Sequence, residues 1–200
     1  MDYEYDVALS FAGEDRTFVE ECANIMAALE LRVFYDSYEE AELWGKDLYV
    51  FLADIYSKKS KYTIIFVSDS YKRKRWTKHE FKFACERMFK EEREYILPVL
   101  LDDTLLDGIP ETMGYLTNKT PYEIAVMVAH KVNPQIDVKN MIVELAELLP
   151  SYSISIDGTE VILCCEEEDY EGKFPLALMM ELYKQDLLFE LFVLPAIVPN

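Results

Sequence analysis

The run Thr63-Ile64-Ile65-Phe66-Val67 is an unbroken stretch of β-branched and aromatic residues. A strand with one wet face alternates apolar and polar with a period of two, so this one is expected to be buried on both faces. Such a strand needs helices above and below it, which restricts the fold to a layered α/β sheet. Helical stripes supply the cover. Phe18, Cys22, Ile25, Met26 and Leu29 share one face of a helix starting near Glu14, and Phe81, Ala84, Cys85 and Met88 do so after the run itself.

The other strands follow in alternation with helices. Tyr5–Phe11 is the first, closed by Ala12-Gly13, and Leu31–Asp36 is the second. An acidic loop, Ser37–Gly45, precedes a helix marked by Leu48, Phe51, Leu52 and Ile55, which the polar cluster Ser57–Lys61 ends. Glu94–Leu101 makes the fourth strand and Tyr115-Leu116 a short fifth. Thr120-Pro121-Tyr122-Glu123 is a capping box with proline at the first helical position. The expected fold is α/β, a flavodoxin-like five-stranded parallel sheet of order 2-1-3-4-5 with helices on both faces. Winding reverses between strands 1 and 3 in that order, so a crevice is expected at their carboxyl ends, Ser10–Gly13 and Ser68–Tyr71.

The composition changes near Asn133-Pro134. Residues 134–200 hold only Lys139, Lys173 and Lys184 against 13 acidic residues. The expected domains are therefore 1–133 and a small acidic α+β region, 134–200. The latter is read as a helix from Val138 to Leu149, a hairpin around Asp157-Gly158, a helix from Phe174 to Tyr183 and a strand-like run from Leu187 to Leu194. It contains no catalytic motif.

A net charge of −18 argues against general nucleic-acid binding, which depends on neutralising phosphates. No apolar run approaches the ~18–20 residues that span a bilayer. The acidic Met1-Asp2-Tyr3-Glu4 start is unlike a secretory leader. Cys22, Cys85, Cys164 and Cys165 lack metal-ligand spacing and read as reduced thiols, which fits a cytoplasmic protein. His79 and His130 have neither nucleophile nor metal-ligand neighbours. A phosphoacceptor receiver shares the layout, but Val67-Ser68 stands where it needs an aspartate, and Pro98–Leu101 contains no lysine.

The crevice directs attention to Glu80. On its own it reads either as a solvated helix glutamate or as a carboxylate whose acidity is tuned by Trp76, one turn earlier, and by Tyr71 and Phe83. Trp76 is either a core ring or a half-exposed stacking surface. The cations Lys72–Arg75 are either a solvated loop or a cradle for phosphates or an acidic partner.

Tyr5-Asp6-Val7-Ala8-Leu9-Ser10-Phe11-Ala12-Gly13-Glu14-Asp15-Arg16 resembles the first signature box of Toll/interleukin-1 receptor (TIR) domains. Phe66–Tyr71, followed by Trp76 and Glu80, resembles the second box with its helix, and Pro98-Val99 also fits. The resemblance spans about residues 3–133. It implies the same five-stranded fold. Many members cleave NAD at the nicotinamide–ribose bond, whereas others are non-enzymatic adaptors. It further implies Glu80 as the catalytic residue and Ser10, Phe11, Ala12, Gly13, Asp36, Trp44, Tyr71 and Trp76 as the substrate-binding set. NAD would be the substrate, with no metal and no separate cofactor. Ser37–Gly45 would be the loop that gates the pocket and joins copies into a homo-oligomer, and a separate effector or trigger protein is a further expected partner. One departure stands out: enzymatic members often carry arginine just after strand one, where this chain has Ala12-Gly13 and places Arg16 further on. Three readings follow: an NAD glycohydrolase or cyclase acting in defence signalling, a non-catalytic scaffold, and a nucleoside deoxyribosyltransferase, whose family lacks this first box.

Overall fold

The strand Ser60–Val67 (β3) lies at the centre of a sheet whose order is β2-β1-β3-β4-β5 and whose pairs are all parallel. Its companions are Tyr5–Ser10 (β1), Val33–Phe34 (β2), Ile96–Leu100 (β4) and Leu116–Thr117 (β5). The computed structural model describes residues 3–36, 44–45, 51–52, 54–73, 95–106, 113–165 and 169–192. The expected helix cover from Phe81 to Met88, with Trp76, His79 and Glu80, lies outside them, as do residues 37–43 of the loop after β2. The expected order of strands is the observed one.

Two compact units divide the chain, Met1–Ala23 with Leu31–Ile124 and Asn24–Glu30 with Ala125–Asn200. Among the described residues no helix is long and apolar enough to cross a membrane.

In the first unit, every residue of β3 from Thr63 to Val67 is buried. The pairings Ala8↔Thr63 and Ser10↔Ile65 put these residues on one face, with Phe34, Val67 and Ile96, while Val7, Leu9, Ile64 and Phe66 line the other. Phe34 packs with Ala8, Leu52, Ile55 and Tyr56 on the first face. On the second face, Phe18 of the helix Arg16–Ala28 (α1) meets Phe66 edge-on at 6.4 Å. Cys22, on the same helix, is fully buried, and burial pushes its thiol up to about 12, so it stays a neutral core group. The polar cluster expected to end the helix before β3 instead forms a π-helical turn, Ile55–Lys59. The Ser60 hydroxyl closes that turn by donating to Ile55 O at 3.1 Å, so β3 starts earlier than hydropathy suggests.

Proline in β4 sets the extent of β5. Thr63 N donates to Tyr95 O at 2.9 Å and Leu101 N to Val67 O at 2.8 Å, so odd-numbered residues along β4 face β3 and even-numbered ones face β5. Pro98, lacking an N–H, therefore faces β5, which joins only beyond it, at Val99↔Leu116 and Leu100↔Thr117. The helix Pro121–Val132 (α3, the second helix being Asp69–Arg73, α2) begins with the expected capping box: Glu123 N donates to Thr120 Oγ1 at 3.2 Å and Thr120 N to the Glu123 carboxylate at 2.9 Å.

The second unit is built on an antiparallel sheet of three strands, Ser153–Asp157 (β6), Glu160–Cys165 (β7) and Tyr170–Pro175 (β8), in that order. Gly158 takes a positive φ of 56° in the tight hairpin between β6 and β7. Val161, Leu163 and Cys165 face inward, where the helices Val138–Leu148 (α4) and Leu176–Lys184 (α5) contribute Val138, Met141, Leu145, Leu176, Met179 and Met180 to the core. Asp137 caps α4 by accepting from Asn140 N at 3.0 Å. Two local expectations are corrected. The apolar run read as a strand over 187–194 is helical at Leu188–Phe192 (α6), and β8, Tyr170–Pro175, takes the place of the first turn of the helix expected from Phe174. Phe192 packs edge-on against Phe174, centroids 5.3 Å apart.

Candidate functional site

The carboxyl ends of β1 and β3 adjoin where the sheet changes its direction of winding, the place where doubly wound folds bind ligands. After β1 the chain passes through Phe11 and Ala12 into a 3-10 turn, Gly13–Asp15, which leads into α1. After β3 it enters α2 directly. Ser68 caps α2: its hydroxyl accepts from Tyr71 N at 3.1 Å. The Asp102 carboxylate, beyond β4, accepts from Asp69 N at 2.9 Å. Hydrogen bonds from Thr104 and Asp69 hold that carboxyl below its ordinary value.

Two side-chain groups furnish this end of the sheet. In the first, the Tyr71 hydroxyl meets Ser10 Oγ at 2.8 Å, and Ser68 Oγ donates to Asp15 Oδ2 at 2.6 Å. Tyr71 is only 1% exposed and packs with Ala12, Ile65, Val67, Tyr95 and Ile96. In the second, the Phe11 and Tyr35 rings stack at 5.6 Å with planes 28° apart. The Arg16 guanidinium lies 5.2 Å from the centroid of Phe11 and 5.7 Å from that of Tyr35. Arg16 also grips Asp36 with both ends of its fork, Nη1 to Oδ1 at 2.8 Å and Nη2 to Oδ2 at 2.7 Å. The hydrogen bonds to Asp36 raise the arginine's already high pKa, outweighing its partial burial, so it is a permanent cation.

Of the residues singled out from sequence, Ser10, Phe11, Ala12, Gly13 and Tyr71 gather at the β1–β3 end, and Asp36 joins them through Arg16. Trp44 sits in a turn with Gly45 and is 90% exposed. Trp76 and Glu80 lie outside the described residues. The missing arginine after strand one has a structural reason. Ala12 is fully buried in the Tyr71–Ile65–Val67 cluster, where a guanidinium would lose its hydration without a partner. Sequence reading put Ser68 at the end of the crevice without giving it a role, and missed Asp15 and Tyr35 as site furniture. For Ser68 the signal was present, a serine between a buried strand and Asp69 at a helix start.

A parallel sheet of order β2-β1-β3-β4-β5 with polar groups gathered at its reversal defines the class, a doubly wound α/β domain. The chain belongs to the TIR domain family, whose model matches residues 7–125. It is 53% identical over 132 residues to a 3' cyclic ADP-D-ribose synthase of Aquimarina amphilecti, covering 65% of this chain and 40% of that protein. It is 28% identical over 140 residues to a probable 2' cyclic ADP-D-ribose synthase of Methanobrevibacter olleyae, covering 66% of this chain and 40% of that one. The chain thus spans about two fifths of the length of these curated relatives. A metazoan TIR-STING receptor from C. gigas, solved in complex with 2',3'-cGAMP, matches with a TM-score of 0.52 at 10% identity, over 98% of this chain and 87% of that one. At that identity the likeness concerns the fold alone.

Proposed function

We propose that this chain cleaves NAD at the nicotinamide–ribose bond and releases nicotinamide with either ADP-ribose or a cyclic ADP-ribose isomer. The observation that carries the proposal is the 53% identity over 132 residues to a cyclic ADP-D-ribose synthase, in a chain whose residues 7–125 match the TIR model. In this reading the catalytic domain is 1–133, with 134–200 appended to it.

Nicotinamide leaves a cationic ring as a neutral molecule, so its departure needs no general acid. Positive charge builds on the ribose instead, and a fixed carboxylate stabilises it or orients its hydroxyls. Glu80 is assigned that role. Trp76 and Phe11 enclose the rings of the substrate, and Ser10, Ala12 and Gly13 present the backbone at the end of β1. Tyr71 supports the pocket from below, since its hydroxyl is already bonded to Ser10. Asp36 contributes through Arg16, which holds both of its oxygens. Capture of the ribosyl cation by water gives ADP-ribose, and capture by a group of the same nucleotide gives a cyclic isomer. The exposed indole of Trp44 supports self-association through Ser37–Gly45. A cytoplasmic address and a role in defence signalling, with a separate effector or trigger as partner, complete the proposal.

The test is to incubate the purified chain with NAD, alone and on a scaffold that forces assembly, and to identify products by mass spectrometry. The wild type is expected to release nicotinamide, and Glu80→Gln to slow it by about 100-fold or more. Turnover that survives Glu80→Gln would remove the site assignment. Absence of turnover even under forced assembly would leave the non-catalytic scaffold as the better account.

A further inference from the structure

The hydrogen bonds at the end of the sheet form a closed circuit. From Ser10 the chain runs through Phe11–Glu14 to Asp15, and Asp15 accepts the Ser68 hydroxyl proton at 2.6 Å. Ser68 connects through Asp69 and Ser70 to Tyr71, whose hydroxyl returns to Ser10 at 2.8 Å. Within the circuit, Tyr71 N donates to Ser68 Oγ at 3.1 Å and Asp15 N to Ala12 O at 2.8 Å, so both chain segments are also held locally. Ser68 has one proton, and the Asp15 carboxylate takes it in a short charge-assisted bond. Ser10 and Tyr71 are 4% and 1% exposed, so water competes poorly for their bond, while the Ser68–Asp15 bond is half-buried. Ala12, inside the loop, packs against Tyr71 and removes the remaining slack.

We propose that Asp15 and Ser68 are positioning residues: their hydrogen bond, closed into a circuit by Tyr71 and Ser10, locks the turn after β1 to the start of the chain segment that continues from α2 to Trp76 and Glu80. The inference rests on the reading of Glu80 as the group that acts on the ribose. A sugar held by the β1 turn and attended by Glu80 reacts only if both are fixed relative to each other, and a misplacement of about 1 Å costs on the order of 100-fold in rate. The circuit fixes the turn after β1 against the start of α2, from residues that need not touch the substrate. Asp15 acts here as an acceptor, not as a proton-transfer group.

Two measurements on the full chain test it. The first is hydrogen–deuterium exchange without NAD. Asp15→Ala and Ser68→Ala are expected each to speed exchange in both 10–16 and 68–73, and to leave β7 unaffected. A change confined to the mutated segment overturns the tie. The second is turnover of NAD. Asp15→Ala is expected to lower kcat by about 10- to 100-fold with KM moved by less than about threefold, and the double variant to be no slower than the slower single one. Asp15→Asn keeps the acceptor oxygen and is expected to stay within about threefold of wild type with the same pH profile. Additive losses, or an Asp15→Asn variant as slow as Asp15→Ala, overturn the assignment. Should the alanine variants not fold, Ser68→Cys, with a weaker donor in the same shape, is expected to give a smaller exchange change in both segments. Wild-type turnover that persists in Glu80→Gln removes the assignment of Glu80 while leaving the exchange result to decide the tie by itself.

Discussion

The two sheets of this protein bury their strands differently. Along β3, successive residues from Thr63 to Val67 are all inside, whereas along β7 burial alternates, with Val161, Leu163 and Cys165 inside and Ile162 and Cys164 partly out. A strand covered on both faces has no length along which to meet a ligand, so polar groups collect at its end, as Ser68, Asp15, Ser10 and Tyr71 do. A strand with an open face carries its polar neighbours dispersed. On β6 and β8, Ser153, Ser155, Glu171 and Lys173 are exposed at alternate positions along the strands, and Lys173 pairs with Glu171 at 3.4 Å on that open face. Polar groups gather at the end of the parallel sheet, and the antiparallel one spreads them along one wet side.

Substitutions can break this comparison. The largest effect is expected from Ala12→Arg, which places a long cation in the buried cluster at the end of the parallel sheet. A loss above about 3 kcal/mol is expected by urea denaturation, from overpacking and an unpaired buried charge. If that variant is as stable as wild type, the end of β1 is more open than its packing indicates. Next come neighbours along a strand. Ile64→Ala and Ile65→Ala should each cost about 2–5 kcal/mol, as should Leu163→Ala in β7, while Ile162→Ala should cost less than about 1 kcal/mol. Equal costs at 162 and 163 would mean that the antiparallel sheet has no open face. Tyr71→Phe removes one buried hydroxyl bond and should cost about 1–2 kcal/mol, with its ring packing kept.

The smallest effect concerns the edge of the first unit. Arg32 Nη2 meets Asp6 Oδ1 at 2.8 Å, and Arg32 N donates to Asp6 Oδ2 at 2.9 Å. Burial alone would raise the Asp6 carboxyl, but the side-chain and backbone hydrogen bonds from Arg32 and its charge pull it below the ordinary value. A lowered carboxyl stabilises the fold above the ordinary carboxylate range and ceases to do so as pH falls through the folded value. Asp6→Asn should therefore be less stable by about 0.5–1 kcal/mol at neutral pH, and the gap should close in acid. A gap that widens on acidification would contradict the pairing.

How much of this was legible in the sequence follows the same contrast. Continuous burial along β3 and the helical stripe of α1 are written in hydropathy, so the layered α/β class could be read directly, and the order β2-β1-β3-β4-β5 followed from the precedent of doubly wound sheets with five strands. The family boxes marked which end of the sheet matters. The strand β8 was hidden because Tyr170-Glu171-Gly172-Lys173-Phe174-Pro175 has little strand preference, and it is a strand by pairing with β7. The run at Leu188–Phe192 was ambiguous because short apolar segments satisfy both periods. Sequence alone put Ser10, Phe11 and Tyr71 at the ends of β1 and β3, but Asp15–Ser68 and Arg16–Asp36 join residues far apart in sequence, and no local pattern encodes such pairs.

Pro98 has a consequence beyond the length of β5. An exposed sheet border invites a strand from another molecule, because its amides and carbonyls template one more rung. Here the described border strand is two residues long, and the strand behind it is missing a donor at its midpoint. A foreign strand would find a ladder with a gap, so growth of fibrils by edge pairing is disfavoured on this side. That protection comes at no expense to the core, because the proline's ring is buried while its absent N–H faces the border.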